Sequence, residues 1–275
     1  MRGIISGIKR MEIHDGDGFR TTVFFKGCPL KCIWCHNPES ISFAPEVAYF
    51  KNKCIGCGMC EGKCDVRAAE ICPTEAKLLY GVEYVADELV TELMRDKPFF
   101  DNGGGGVTMS GGECLWQSEF AIEVARRLFE RGVSVYIDTC GYVKREVLEA
   151  ILPYADRFLY DIKAIDPKLH RELTGRDNSL ILDNLKYLSE QGADIEIRYP
   201  LVVGKNDGEC ESIGRLLSGM KGVRGVKVLR YHDFSASRYE ALGMENTLPR
   251  QLTADDNVAL AARTLSAFGV TVIGE

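Results

Sequence analysis

Cysteines are the feature that most restricts what this chain can form. Of its 11 cysteines, eight lie between Cys28 and Cys72 in a sequence of 275 residues. An odd number cannot all pair, and residues 1–10 mix Arg, Gly and Lys with scattered Ile instead of forming the apolar core of a signal peptide. In a chain expected to stay in the cytoplasm, clustered cysteines favour metal or iron–sulfur ligation over disulfides.

The first three cysteines form the motif Cys28-x3-Cys32-x2-Cys35, directly after the apolar run Thr21–Phe25. Thiolates at these spacings can converge from one tight loop. A cubane [4Fe–4S] cluster needs four ligands, usually cysteines, so three would leave one iron open for a substrate or cofactor. The alternative is a zinc site completed by His36, although adjacent Cys35 and His36 cannot easily point at one ion.

The second group, Cys54-x2-Cys57-x2-Cys60-x3-Cys64, has the spacing of bacterial ferredoxins, and a Cys-Pro pair follows at Cys72. This pattern predicts one auxiliary [4Fe–4S] cluster, with a zinc site or a redox dithiol as the alternatives. In ferredoxins the fourth cysteine of such a run serves the other cluster, and the Cys-Pro completes the first. The expected ligands are Cys54, Cys57, Cys60 and, by preference, Cys72, with Cys64 as the competing fourth ligand.

From residue 83 onward, short apolar runs alternate with amphipathic stretches, which predicts a parallel sheet with crossover helices. The predicted strands are Thr21–Phe25, Val107–Ser110, Val133–Asp138, Arg157–Ile162, Asp194–Tyr199 and Val226–Tyr231, with a further one at Val270–Ile273. The predicted helices are Ala86–Lys97, Gln117–Arg131, Lys144–Leu152, Asn178–Gln191, Glu209–Lys221 and Thr253–Phe268. Six such repeats predict an α/β fold, a partial (β/α)6 barrel of the TIM type, with an open doubly wound sheet as the alternative.

The cysteine-rich stretch interrupts this alternation. Residues 45–82 are rich in Cys, Gly and Lys and poor in long apolar runs, so we predict a small ferredoxin-like iron–sulfur insert there. The barrel then comprises residues 1–44, with the first cysteine loop, and residues 83–275. A net charge of −6 and the absence of a long apolar run from the sequence mean that neither a nucleic acid nor a membrane is expected as a partner.

Polar residues follow the predicted strands at the edge where active sites lie in parallel barrels. The candidates are Gly111, Gly112, Glu113, Asp138, Thr139, Asp161, Lys163, Arg198 and His232. Glycines let a ligand approach the backbone, and a glutamate can accept a hydrogen bond from an amine. Taken singly, Gly111, Gly112 and Glu113 are typical of a turn, and Asp161 and Lys163 of a strand-end salt bridge. His232 alone is more often a structural histidine. Their shared edge favours one ligand site.

Together these segments resemble a known family. The first cysteine motif, with the aromatic Trp34 before its last cysteine, resembles the signature of the radical S-adenosylmethionine (SAM) superfamily. The longer stretch from Ile13 to Glu39 is similar to the activating enzymes of glycyl radical enzymes, the group that contains the pyruvate formate-lyase activator. The chain departs from that pattern at Asp17 and Cys114, where the family usually has proline, and its insert is shorter than the two-cluster insert of many members.

The resemblance implies the role of each candidate. Cys28, Cys32 and Cys35 would hold the cluster that binds SAM. The implied SAM contacts are Trp34, Gly111, Gly112, Glu113, Asp138, Thr139, Asp161, Lys163, Arg198 and His232, and some relatives also bind a monovalent cation near Asp138 and Asp161. Asp15 resembles a residue near the substrate peptide.

The implied activity is the reductive cleavage of SAM to a 5′-deoxyadenosyl radical, which takes hydrogen from a glycine of a partner glycyl radical enzyme. A flavodoxin or ferredoxin-type protein would donate the electron, and the activator is expected to be a monomer. Two other functions stay open at this point. One is a radical SAM enzyme that acts on a small molecule or peptide, and the other is a non-catalytic iron–sulfur electron carrier, which would have no use for SAM contacts.

Overall fold

A computed structural model of the chain describes residues 1–274, in which a nine-stranded sheet organises the core. The strands are β1 (Arg2–Glu12), β2 (Arg20–Phe25), β3 (Glu46–Tyr49), β4 (Lys77–Tyr80), β5 (Val82–Val85), β6 (Gly106–Gly111), β7 (Ser134–Thr139), β8 (Arg157–Asp161), β9 (Ile195–Leu201), β10 (Val223–Arg230) and β11 (Val272–Ile273). The α-helices are α1 (Asp65–Glu70), α2 (Ala86–Leu93), α3 (Lys97–Gly103), α4 (Ser118–Glu130), α5 (Arg145–Ile151), α6 (Pro167–Thr174), α7 (Ser179–Glu190), α8 (Cys210–Leu217), α9 (Ala236–Ala241) and α10 (Asp255–Ser266).

The main sheet has the order β11-β10-β9-β8-β7-β6-β2-β1-β5. Seven neighbouring strands of this sheet are parallel, namely β2, β6, β7, β8, β9, β10 and β11. They follow one another in chain order, without the reversal that a doubly wound sheet requires. β1 runs antiparallel to β2, and β5 antiparallel to β1. The prediction of an α/β fold with a parallel sheet is confirmed, and the arrangement is that of a partial barrel of the TIM type.

Alternation along the parallel strands separates two faces of the sheet. Residues such as Val107 and Met109 on β6 belong to the main apolar core together with residues of α4, including Phe120 and Val124. The intervening positions are polar and point into the barrel, where Arg20 Nε donates to Thr108 Oγ1 at 2.7 Å. The barrel interior is therefore polar, and the apolar core lies between the strands and the outer helices.

Several elements differ from the sequence expectation. The helix predicted over Ala86–Lys97 ends at Leu93 in α2, and α3 begins at Lys97 with Pro98 in its first turn, where proline is favourable. β1 and β5, the two antiparallel strands at one end of the sheet, were not predicted, because they show little apolar periodicity. The short helices α6 and α9 were also missed.

The cysteine-rich segment forms a small unit beside the main sheet. β3 and β4 pair as an antiparallel ribbon, and α1 lies in the loop between them. β5 already belongs to the main sheet through its pairing with β1. Among residues 1–274, no helix combines the length and the apolar character that crossing a bilayer requires.

Candidate active site

A cavity of about 220 Å³ lies at the carboxyl ends of the parallel strands. The sequence-predicted residues that line it are Cys28, Cys32, Trp34, Cys35, Gly111, Gly112, Asp138, Thr139, Asp161, Lys163 and Arg198. The predicted residues that do not line it are Asp15, Glu113 and His232. Residues from five strand ends and the first cysteine loop therefore meet at one place.

The loop that carries Cys28, Cys32 and Cys35 is fixed at both ends by backbone hydrogen bonds. At its start the Cys28 amide donates to the Ile41 carbonyl at 3.1 Å. Further along, the amides of Lys31 and Ile33 donate to the carbonyls of Thr174 and Leu173, at 2.8 and 3.0 Å. These carbonyls belong to the last turn of α6, so the missed helix positions the cysteine loop.

The three cysteines of this loop form no disulfide and are half-buried. Burial raises the pKa of Cys28 and of Cys32, and it raises the pKa of Cys35 to about 12. Trp34 contributes to the shielding, since it is buried against Leu173. Soft sulfur donors in a partly dry cavity suit an iron–sulfur cluster, whose iron would hold the thiolates in their charged form.

The spread of these side chains bears on the choice between a cluster and zinc. A single zinc ion would need its thiolates at about 2.3 Å from one point. In a cubane, each thiolate binds a separate iron. Within the part of the chain that the structure describes, no three His, Cys, Asp or Glu side chains converge as a single ion requires. Cys28, Cys32 and Cys35 thus line one cavity without forming a single-ion site, and their role as cluster ligands stays a prediction.

Glu113 lies behind the cavity wall and is fully buried. Thr139 Oγ1 donates to its carboxylate at 2.8 Å, and the backbone amides of Cys140 and Leu115 donate at 2.8 and 3.1 Å. Burial raises the pKa of Glu113, while these donors oppose the rise. The backbone beside it is close-packed, because a Cβ on Gly112 would lie 2.5 Å from the carbonyl oxygens of Gly27 and Ser40.

Arg198 lies at the centre of a buried polar network on the cavity floor. Its Nη1 is 3.5 Å from Asp15 Oδ1 and 3.7 Å from Asp138 Oδ2, while its buried Nε has no hydrogen-bond partner among the described residues. Burial raises the pKa of Asp138 to about 7, against the opposing charge of Arg198. The Nε faces the buried carboxylate of Glu196 at 3.9 Å, so Arg198 offers the cavity its positive charge, which suits a ligand with a carboxylate, such as that of SAM.

Asp161 and Lys163 form an ion pair next to Arg198, since Asp161 is the register partner of Arg198 in the β8–β9 pair. Burial would lower the pKa of Lys163, but the Asp161 carboxylate and the nearby Cys32 thiol raise it above its usual value. Lys163 is therefore charged and supplies a positive group close to the cysteine loop. The monovalent cation near Asp138 and Asp161 stays a prediction.

Asp15 and His232 lie near the site without lining it. Asp15 comes from the loop between β1 and β2 and enters the barrel from below, where its Oδ2 accepts from Thr22 Oγ1 at 2.8 Å. The ring of His232 stacks on His36, with centroids 4.2 Å apart, and it lies at the rim of the cavity that His36 lines. Both assigned roles stay predictions.

The sequence reasoning missed several residues that line the cavity. His36 was considered only as a zinc ligand, yet burial lowers its pKa to about 4, so its ring is neutral and part of the wall. Ser110 donates to Asp138 Oδ2 at 2.5 Å, and Tyr231 packs beside Trp34. Cys140, which follows the predicted Thr139, was not singled out. Their shared signal was position, since each adjoins a residue that had been singled out.

The insert contains a second cavity, of about 180 Å³. Cys54, Cys57, Cys60 and Cys72 line it, while Cys64 is exposed where α1 begins and is not part of the lining. The backbone amide of Lys77 donates to the Cys72 sulfur, which lowers the pKa of that thiol. The expected fourth ligand and its competitor thus occupy different surroundings.

Comparisons with known proteins place the chain in a family. The sequence profile of the radical SAM superfamily matches residues 22–217. The trans-4-hydroxy-L-proline dehydratase activating enzyme of Clostridioides difficile is 40% identical over 267 residues, which cover 88% of each chain. The choline trimethylamine-lyase activating enzyme of Oleidesulfovibrio alaskensis is 37% identical over 89% of this chain and 88% of its own.

Solved structures agree at the level of the fold. A domain of the pyruvate-formate lyase-activating enzyme from Bacteroides vulgatus superposes with a TM-score of 0.53 and 26% identity, over 62% of this chain and all of that domain. Streptococcus suis SuiB bound to its precursor peptide gives 0.61 at 14% identity, over 90% of this chain and 46% of its own, and it supports the fold alone. The chain belongs to the radical SAM superfamily and, within it, to the activating enzymes of glycyl radical enzymes.

Proposed function

We propose that Cys28, Cys32 and Cys35 hold the [4Fe–4S] cluster of this activating enzyme and that SAM occupies the rest of the same cavity. The observation that carries the proposal is the meeting of these three thiols with Asp138, Arg198 and the other predicted SAM residues around one cavity. The superfamily uses a [4Fe–4S] cluster and SAM, and its activating enzymes generate a radical on a partner protein.

The chain's own residues would bind and orient SAM. Glu113, behind the wall formed by Thr139, is placed to attract the amine, and the positive charge of Arg198 suits the carboxylate. The backbone at Gly111 and Gly112 gives close access, and Trp34 and Lys163 enclose the side next to the cysteines. In this arrangement the protein supplies position, charge and exclusion of water.

When bound and reduced, the cluster and SAM together supply a 5′-deoxyadenosyl radical, which takes a hydrogen atom from a glycine of the partner. The chain must therefore keep its cavity open to a peptide at the rim near His36 and His232 while it keeps solvent away from the thiols. Asp15 lies beneath the cavity floor, so it would influence the binding of the peptide only through its contact with Arg198.

The insert, residues 45–82, is proposed to hold one auxiliary [4Fe–4S] cluster through Cys54, Cys57, Cys60 and Cys72, between barrel segments 1–44 and 83–275. This proposal is supported by the cavity that these four thiols share and by the separate position of Cys64. We further propose a glycyl radical enzyme as the protein partner, a flavodoxin or ferredoxin-type electron donor, and a monomeric activator in the cytoplasm.

The test is anaerobic reconstitution with iron and sulfide, followed by reduction with dithionite in the presence of SAM. Methionine and 5′-deoxyadenosine should form in equal amounts, and a candidate partner should acquire the electron paramagnetic resonance (EPR) doublet of a glycyl radical. Cys32→Ser should abolish both SAM cleavage and the glycyl radical signal, whereas Cys64→Ser, which changes an exposed thiol, should keep them. Intact SAM in the reduced wild type, or full activity of Cys32→Ser, would contradict the proposal.

A further inference from the structure

A column of stacked rings leads from the cavity wall to the surface of the protein. His36 lines the cavity, and its ring stacks on that of His232 with 4.2 Å between the centroids and 5° between the planes. The ring of His232 stacks in turn on that of Phe234, again with the centroids 4.2 Å apart. Phe234 forms the outer end of this ring column. It is 79% exposed, the largest exposed fraction among the large apolar side chains of residues 1–274.

The segment that carries Phe234 is attached to the first cysteine loop. The carbonyl oxygen of His232 is 3.0 Å from His36 Nε2, and Ser235 Oγ donates to the Cys35 carbonyl at 3.2 Å. A single exposed apolar side chain is ordinary on a protein surface. Phe234 differs because the residues that flank it bind the cysteine loop, so its ring is held at a fixed place beside the cavity.

The position of Phe234 separates it from the proposed SAM site. SAM would occupy the cavity whose wall contains His36, whereas Phe234 is two rings further out and does not line that cavity. A molecule that covers the outer face of Phe234 therefore comes from outside the cavity. As an activating enzyme of glycyl radical enzymes, the chain must bring one segment of a partner protein to its active site.

A glycine has no side chain, so recognition of its segment must use the neighbouring residues. An extended peptide advances about 3.3 Å per residue, so the two 4.2 Å steps from His36 to Phe234 correspond to about two or three residues. A glycine at the cavity mouth beside His36 then brings a side chain two or three positions away to the ring of Phe234. An apolar or aromatic side chain there would remove the exposed ring from water.

We propose that Phe234 is a partner-binding residue, whose ring packs against an apolar or aromatic side chain two or three positions from the reacting glycine. The inference rests on the proposed function, because it requires the radical to form in the cavity that His36 lines. The contact holds the glycine segment at the cavity mouth. Its loss should therefore weaken the binding of the partner and leave the rate of hydrogen transfer in the complex unchanged.

The first test separates partner binding from chemistry. The growth of the glycyl radical EPR doublet is measured against the concentration of the glycyl radical enzyme that the reduced wild type activates. Phe234→Ala should raise the KM for this partner about ten- to hundred-fold, the range for losing one buried apolar side chain, at an unchanged kcat. Phe234→Tyr keeps the ring and should retain most of the affinity. Phe129→Ala removes an exposed phenylalanine from α4 and is the matched control, with the KM of the wild type expected.

A double-mutant cycle tests the contact itself. Each apolar side chain two or three positions from the partner's glycine is replaced with alanine, and each partner variant is assayed with the wild-type and Phe234→Ala activators. One replacement should raise the KM with the wild type and change it little with Phe234→Ala, because that activator has already lost the contact.

Three results would overturn the inference. One is a KM for Phe234→Ala equal to that of Phe129→Ala, and another is losses that add for every pair in the cycle, as they also must if the partner has no apolar side chain at these positions. The third is a fall in SAM cleavage without the partner, which would assign Phe234 to the SAM site. Failure of the proposed function gives a different result, because the reduced wild type itself would then leave SAM intact.

Discussion

At the scale of single residues, Glu113 shows how burial prepares a side chain for a ligand. Its carboxylate is surrounded by donors from Thr139, Cys140 and Leu115, all within 3.1 Å. Burial raises the pKa of this carboxyl, and the donors oppose the rise by stabilising the charged form. The proposed SAM amine would act in the same direction as these donors.

We predict that Glu113→Gln weakens SAM binding by about 1.5–3 kcal/mol, the range for hydrogen bonds to charged groups. The amide would also turn an NH2 group toward the donors of Thr139 or Cys140, so a moderate loss of thermal stability should accompany the change. SAM titration of the reconstituted protein and a thermal melt measure the two effects. Glu119→Gln, at an exposed position of α4, is the matched control. Equal SAM affinity in both variants would contradict the assigned role.

At the scale of elements, α6 connects the outer layer of helices to the cysteine loop. His170 is 1% exposed, and its Nδ1 donates to the Arg176 carbonyl at 2.7 Å, which closes the turn after the helix. The carbonyls of Leu173 and Thr174 in that turn accept from the cysteine loop. The helix therefore helps to fix the position of the loop that carries Cys32.

Replacing His170 with Ala should destabilise the fold by about 0.5–1.5 kcal/mol, because the Arg176 carbonyl keeps only the longer, 3.2 Å hydrogen bond from Thr174 Oγ1. The cysteine loop should also release iron faster when the protein is exposed to a chelator. His170→Asn, which can place an amide donor near the position of Nδ1, should recover most of both properties. Arg171→Ala changes an exposed neighbour on the same helix and serves as the control. Equal iron-release rates for His170→Ala and the wild type would show that the helix does not position the loop.

The insert offers a second prediction at this scale. Cys72 lines the insert cavity with the other three proposed ligands, whereas Cys64 lies outside it. Cys72→Ser should therefore lose or destabilise the auxiliary cluster, with about four fewer irons per chain. Cys64→Ser should keep the full iron content, and Mössbauer spectroscopy of both variants can follow each cluster. The opposite result would assign the fourth ligand to Cys64.

At the scale of the whole molecule, the parallel strands were predictable and the antiparallel strands β1 and β5 were not. Apolar alternation marks β6 to β10, because each is buried on its outer face by helices. β1 alternates weakly because its residues are only partly buried, and Met11 near its end adopts a left-handed conformation with φ 61°. Residue propensities for strand formation do not predict such a local backbone conformation.

The same contrast holds for the site. Cys28 and Arg198 were found because motifs place them, one in a spaced set and the other at a strand end. Tyr231 and His36 came together only in three dimensions, through loops whose approach the sequence does not specify. The contact between the last turn of α6 and the cysteine loop is of this kind as well, since it joins residues far apart in the chain.

An open sheet that curves into a barrel needs something to fill its lower end, and the loop between β1 and β2 has that role. Arg20 and Arg157 both lie over the ring of Tyr136, at 3.6 and 4.8 Å from its centroid. Arg157 also pairs with Asp17 of the loop at 2.9 Å, which connects it to β8. The floor of the cavity depends on this loop, because Asp15, which belongs to the loop, contacts Arg198.

Gly16 is the position at which the loop is most sensitive. Its φ of +125° is unfavourable for other residues, and a Cβ there would lie 2.5 Å from the ring of Tyr136. We predict that Gly16→Ala lowers the free energy of unfolding by about 2–4 kcal/mol, from backbone strain and the displaced ring. Gly208→Ala, whose Cβ would meet nothing within 4 Å, should change it by less than about 0.5 kcal/mol. Anaerobic urea unfolding followed by circular dichroism measures both. If the two variants unfold at the same urea concentration, the loop does not support the barrel, and the position of Arg198 must be set by the strands alone.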